Sequence, residues 1–204
     1  MSKVFFNYGS MNSGKSVNLL KDAFNYIECG KKVVLMKSSI DNRDGYGIIK
    51  SRIGISMDAH IFSSKENIYN LFKKIINESE EKIYALFVDE CQFMTKDQVI
   101  QITDICDNLN IPVLCYGLRT DSFGNLFEGS HYLMANADEL NEIKGMCRFS
   151  DKKATHVLRV DENGTVIKDG DSIFIGGNDN YISCCRKMYK KYYEQGFIDK
   201  EFLK

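Results

Sequence analysis

Apolar and polar positions alternate in two rhythms along this chain. Residues 4–8 (VFFNY) form a short apolar run that stops at Gly9, and beyond a glycine-containing loop Val17, Leu20, Phe24 and Ile27 recur at helical spacing. This predicts strand, loop, helix. Gly30 follows as a helix stop, and residues 32–37 (KVVLMK) supply a second strand rich in β-branched side chains. Residues 65–78 place Ile68, Leu71, Phe72, Ile75 and Ile76 on one face with charges opposite, the pattern of an amphipathic helix. Residues 82–88 then read as a buried strand running into Asp89 and Glu90. Thr95 is placed to cap a helix ending near residue 110, with Val99, Ile102, Ile105 and Leu109 as its apolar stripe, and Pro112 opens a fourth strand. Strands alternating with helices predict βαβ units and a mainly parallel sheet with helices on both faces.

After Cys147 the rhythm changes. Short strands are predicted at 155–160, 165–167 and 173–175, the first two joined by a turn at DENG, and the segment from Tyr181 reads as helical at first with frayed last residues. The expected organisation is an α/β domain over 1–143, a small β lobe over 144–192 and a tail over 193–204.

Composition narrows the function. Among 204 residues, 27 basic and 28 acidic side chains give a formal net charge of −1, which disfavours a dedicated nucleic-acid binder. No apolar run reaches the roughly 20 residues that cross a bilayer, and the first residues lack the layout of a signal peptide, so the expectation is a cytoplasmic protein with no membrane partner. The seven cysteines are scattered, which argues against a disulfide framework; Cys106 and Cys115 read as small buried hydrophobes.

The candidate chemistry begins at residues 9–16. Gly9, Ser10, Met11, Asn12, Ser13, Gly14, Lys15 and Ser16 match GxxxxGK[ST] between a predicted strand and a predicted helix. Successive backbone N–H groups and a helix N-terminus there form a cradle for phosphate oxygens. Lys15 would reach the β- and γ-phosphates of ATP and Ser16 would ligate Mg²⁺, which makes the fold class α/β and P-loop NTPase-like. Asp89 and Glu90 close a strand in the position of an acidic strand end; Asp89 would hold Mg²⁺ through a water, and strand alternation would turn Glu90 toward a second substrate as general base. Asp41 and Arg43 lie in a connection over residues 41–56 that is long enough to be either functional or disordered.

From GSMNSGKS through KSSIDNRDG, SRIG, FVDECQF, IPVLCYGLRTD, NLFEGS, ATHVLR and IGGNDNYIS to CCRK, the chain resembles the type II thymidine kinases, the human cytosolic and bacterial type. The resemblance implies transfer of the γ-phosphate of ATP to the 5′-hydroxyl of thymidine, and of deoxyuridine, in deoxynucleotide salvage. It implies Glu90 as catalytic base, Arg43 and Asp41 as the DxR element near the phosphates, and Lys15, Ser16 and Asp89 at phosphate and metal. Met11, Phe93, Leu118 and Phe127 would surround the thymine, and a lasso loop closing over the base maps to Phe174, Gly176 and Tyr181. A homotetramer and feedback inhibition by dTTP are implied as well.

Two departures from the family pattern stand out. Ser122 occupies the place of a phenylalanine, and Phe123, one residue on, is the candidate to stack on the base in its stead. The small domain of the family holds zinc through two CxxC-like pairs; here Cys147 and Cys185 remain while Ser150 and Met188 stand where ligands belong. Two ligands do not close a tetrahedral site, so zinc is expected to be absent or weakly held, with apolar packing by Phe149 and Met188 in its place. Cys184 and His156 are the nearby substitutes, against a neutral core or turn role for His156. The alternative functional reading is a P-loop sensor that binds ATP or dTTP without transferring phosphate.

Overall fold

The computed structural model describes residues 1–41, 45–170 and 181–202. Among them the chain forms two compact units. The first comprises Met1–Tyr8, Gly14–Gly117 and Glu128–Glu142, the second Gly9–Ser13, Leu118–Phe127 and Ile143–Lys204.

In the first unit β1 (Val4–Gly9), β2 (Lys32–Ser38), β5 (His60–Phe62), β6 (Ile83–Asp89), β7 (Val113–Leu118) and β8 (Glu139–Ile143) make a six-stranded sheet in the order β5-β2-β6-β7-β1-β8. β2 runs parallel to β5 and β6, and β6 parallel to β7, as βαβ connections require. Phe6, Met36, Phe62, Phe72, Leu86, Val88, Val99, Ile102, Ile105 and Leu133 belong to one buried core. Helix α3 (Lys96–Leu109) starts at Thr95, the cap the sequence predicts, which forms a capping box with Gln98, and ends on Asn110 in the left-handed region.

Several elements differ from the sequence expectation. In α1 (Lys15–Glu28) the buried face is Leu19, Leu20 and Ala23, whereas Phe24 and Ile27 are 49% and 47% exposed. Apolar residues occupy two adjacent strips of this helix, and periodicity alone does not choose between them. Helix α2 (Ile68–Glu78) begins later than predicted because Asn67 caps it, its side chain accepting the Asn70 N–H at 2.8 Å. The connection after β2 is partly ordered chain: β3 (Ile48–Lys50) and β4 (Ser56–Asp58) pair antiparallel. Helix α4 (Glu128–Asn136) escaped the periodicity reading because it is short and presents Gly129, Ser130 and Leu133 as its buried residues. A Cβ on Gly129 would run into the backbone carbonyls of Cys91, Gln92 and Met94, so glycine is what lets the helix lie against that turn.

The second unit carries β9 (Gly145–Met146) paired with β10 (Lys153–Ala154), and β11 (His156–Arg159) paired with β12 (Tyr181–Cys184), both antiparallel. Tyr181 thus opens a strand, and the predicted helix starts only at α5 (Arg186–Gln195). The DENG turn forms: the Asp161 carboxylate accepts the N–H groups of Asn163 and Thr165 at 2.9 and 2.8 Å. Beyond it, residues 165–167 make isolated bridges rather than a named strand, Val166 opposite Val160. Residues 173–175 lie outside the described residues. Phe149 packs on Tyr192 and Phe202 with ring centroids 4.6 and 4.9 Å away, and Met188 lies against the same core. No helix among the described residues is long and apolar enough to cross a membrane.

Candidate active site

β1 delivers the chain to Gly9, where a Cβ would stand 2.5 Å from the Ile143 carbonyl oxygen and 2.5 Å from Ser13 Oγ. Only glycine leaves room there. Asn12 and Gly14 both take the left-handed conformation, at φ 62° and 88°, and α1 begins at Lys15 with no side chain capping its first turn. Uncapped N–H groups at a helix start behind a left-handed turn are donors for an anion. The Ser13 hydroxyl is buried with no hydrogen-bond partner among the described residues, a further donor for a phosphate oxygen. These residues fit a polyphosphate.

At the second residue of α1, Ser16 Oγ donates to Asp89 Oδ2 at 3.2 Å. Asp89 is 4% exposed at the end of β6, and its other oxygen accepts the Glu90 N–H at 3.0 Å. Burial and then the neighbouring Glu90 charge push its carboxyl up to about 7, against the opposing charges of Lys15 and Lys37. A hydroxyl and a carboxylate in contact, with a lysine one residue before the hydroxyl, are oxygen donors suited to Mg²⁺ beside phosphate.

Glu90 does not continue the strand. It sits at φ 51°, ψ 39°, in the left-handed region that a non-glycine residue occupies at a cost of about 1–2 kcal/mol. The chain then enters a 3₁₀ turn at Cys91–Phe93, with the Phe93 N–H donating to the Glu90 carbonyl at 3.1 Å. Strand alternation was expected to separate the two carboxylates; a left-handed residue separates them instead. Gln92, 2% exposed, donates its side-chain amide to the Glu90 carboxylate and so fixes its direction. Gly117 on β7 allows this arrangement, since a Cβ there would stand 2.6 Å from both Cys91 Sγ and Gln92 Oε1.

Asp41, predicted near the phosphates, is 6% exposed and paired with Lys37 at 3.4 Å. Sequence reading missed Lys37 because KVVLMK scans as an ordinary strand. The signal available was a lysine closing an apolar run four residues before an aspartate. Gln92, inside DECQF, was also missed.

The predicted base-side residues Met11, Leu118, Phe123, Phe127 and Tyr181 belong to the second unit and are half-buried; Phe93, also half-buried, belongs to the first. The Met11 carbonyl accepts the Ser183 hydroxyl at 2.6 Å. The Asp121 carboxylate accepts the N–H groups of Phe123 and Asn125 at 2.9 and 2.8 Å, and the Tyr189 hydroxyl donates to the Ser122 carbonyl at 3.0 Å. Ser122 is buried. Arg43, Phe174 and Gly176 lie outside the described residues.

Cys147 and Cys185 lie in one core, and Ser150 Oγ is 3.7 Å from Cys185 Sγ. Burial raises the Cys185 thiol, but the Met188 and Lys187 N–H groups and the Ser150 and Cys147 side chains outweigh it and hold it below its ordinary value. The half-buried His156 ring lies 4.9 Å from that of Tyr189, and its Nδ1 is 2.9 Å from Thr155 Oγ1. Among the described residues no group of three or more His, Cys, Asp or Glu is arranged to hold a metal ion.

Comparison with known proteins gives the family. The family model described as thymidine kinase matches residues 2–189. A thymidine kinase of Aliivibrio fischeri is 47% identical over 191 residues, covering 94% of this chain and 98% of that one. Those of Mannheimia succiniciproducens and Haemophilus influenzae are each 48% identical over 191 residues, again 94% of this chain and 96% and 97% of theirs. A phosphate loop, a buried acidic strand end and near end-to-end identity thus converge: the chain belongs to the thymidine kinase family.

Proposed function

We propose that this chain performs its family's reaction, phosphorylation of thymidine to dTMP at the expense of ATP, with Glu90 as the base. Glu90 takes the proton of the 5′-hydroxyl while that oxygen bonds to the γ-phosphorus and the bond from γ-phosphorus to the β-bridging oxygen breaks, releasing ADP. Lys15 and the N–H groups of residues 9–16 hold the phosphates, with Asp41 and Arg43 as the DxR element that acts on them. Ser16 and, through a water, Asp89 would hold Mg²⁺, which when bound neutralises charge on the phosphates. Met11, Phe93, Leu118, Phe123, Phe127 and Tyr181, with Phe174 and Gly176, contact the pyrimidine, and deoxyuridine is accepted too. The observation that carries this reading is the placement of Glu90. It is turned out of β6 by a left-handed residue and oriented by Gln92, directly after the carboxylate that Ser16 contacts. Structural energy spent on one carboxylate's direction supports a chemical role for it.

The domain reading is 1–143 for the kinase part, 144–192 for the lasso lobe and 193–204 for the tail. The lobe holds together without zinc, because two thiols, a serine hydroxyl and a thioether do not make a tetrahedral nitrogen and sulfur site. The enzyme is a cytoplasmic homotetramer inhibited by dTTP. All seven cysteines being free fits a reducing compartment, and the exposed Phe24 and Ile27 of α1 give an assembly an apolar face to cover. The non-transferring sensor finds no support in the family match.

The test is transfer of labelled γ-phosphate from ATP·Mg²⁺ to thymidine, beside uridine, deoxycytidine and no acceptor. Thymidine should be labelled, and Glu90→Gln should lower the rate about 10²–10⁴-fold at unchanged ATP affinity. Labelling that survives Glu90→Gln would remove Glu90 from the role of base.

A further inference from the structure

A fully buried lysine is the least expected residue in the first unit. Lys37 is 1% exposed, the last but one residue of β2, preceded by the buried Val34, Leu35 and Met36. Its ammonium reaches Asp41 Oδ2 at 3.4 Å and donates to the Ile48 carbonyl at 3.3 Å. Its Cα lies in register with that of Asp89 on the adjacent strand. The chain between Lys37 and Asp41 is tied by the Ser39 N–H donating to the Phe62 carbonyl at 2.8 Å and the Asp41 N–H donating to the Ser38 carbonyl at 3.2 Å.

Stability does not explain such a pair. Removing an ammonium and a carboxylate from water costs about as much as or more than their attraction returns, and an apolar pair of similar volume would hold β2 at least as well. What the pair does supply is location. It holds the Asp41 carboxylate against the end of β2, and it ties the start of β3 to the same place. We infer that Lys37 is a positioning residue for the nucleotide: its buried ammonium sets the Asp41 carboxylate and the start of β3 at the strand end where Asp89 meets Ser16. The inference rests on the proposed placement of the phosphates and metal at that end.

The experiment measures affinity for ATP·Mg²⁺ by calorimetry in the full chain for Lys37→Met, Asp41→Asn and the double variant, with thymidine affinity in each as the check on folding. Methionine keeps the length and removes the charge; the double variant also removes the buried Asp41 charge that Lys37→Met leaves without its ammonium, so a folded protein is available even if the single variant is not. Lys37→Met should weaken ATP·Mg²⁺ about tenfold, the scale of one charge-assisted contact, and leave thymidine within about twofold. The double variant should match Asp41→Asn, because Lys37 acts through Asp41. The inference is overturned if Lys37→Met binds ATP·Mg²⁺ like the native chain, or if the double variant shows the product of the two single losses. It also falls if both ligands weaken together in Lys37→Met and recover together in the double variant, which marks a counter-charge for folding and nothing more. These readouts need no turnover, so a chain that binds both ligands but transfers no phosphate would count against the proposed function and leave this inference standing.

Discussion

The two units differ in what fills their interiors. In the first, the buried polar groups that matter are titratable ones, Lys37, Asp41 and Asp89, at the ends of β2 and β6 and just beyond, with Phe62, Met36 and Val88 filling the core behind. In the second, a compact core is made of thiols and rings: Cys147, Cys184 and Cys185 with Phe149, Tyr189 and Tyr192. Buried charges add little to stability and much to placement, whereas packed rings contribute stability and transmit geometry only through what their hydroxyls touch. Perturbations should therefore divide. Ring truncation in the second unit should show first in unfolding, and changes around β6 and β7 in the first should show first in catalysis.

The largest expected effect on stability comes from Phe149→Ala. Two aromatic partners lose their neighbour, and a buried ring becomes a cavity, at a cost of about 3–5 kcal/mol in urea unfolding. A loss under about 1 kcal/mol would mean that the lobe is held by something other than its rings. Next in size is Gly117→Ala, where the new methyl must displace Cys91 Sγ and the Gln92 amide, at about 1–3 kcal/mol. Because Gln92 orients Glu90, the turnover rate should fall by more than the unfolding loss accounts for, with thymidine affinity nearly intact. If the rate is unchanged, the Gln92 contact does not aim the base.

Those two sites also mark what could be read from the residues beforehand. The alternation of strands and helices, the capping of α3 by Thr95 and the phosphate loop followed from periodicity and motif, because each is decided locally. The direction of Glu90 was not legible: period-2 logic applies only while the strand lasts, and the strand ends one residue earlier at Asp89. Helix α4 was missed since its packing depends on a missing Cβ at Gly129 against carbonyls more than thirty residues earlier in the chain. Lys37 was passed over for a similar reason. A lysine at a strand end is ordinarily solvated, and only the tertiary fold places Asp41 and Ile48 around it.

Tyr189→Phe tests the second half of the comparison, namely what a ring transmits through its hydroxyl. The variant keeps the stacked rings and removes the donor to the Ser122 carbonyl, leaving that buried carbonyl unpaired at a cost of about 1–2 kcal/mol. The segment it anchors carries Phe123, so the Michaelis constant for thymidine should rise several-fold while that for ATP stays put. Equal changes in both would show that Tyr189 supports the unit as a whole rather than this segment.

The smallest effect is one of pH. Burial first, then the charges of Arg119 and Arg186, lower His156 below its ordinary 6.5, so in the folded chain the ring stays neutral where the unfolded chain already takes a proton. The sign follows: the stability this histidine contributes is complete above 6.5 and is lost as the pH falls from there through the lowered folded value. His156→Gln gives up the ring contact with Tyr189 but has no proton to bind. At pH 8 the variant should therefore be the less stable of the two in urea, and its deficit should shrink steadily between pH 6.5 and 5. A deficit that is the same at pH 8 and pH 5 would mean that His156 titrates alike in both states. In that case the rings of this unit, unlike the charges of the other, would carry no electrostatic coupling to the arginines beside them.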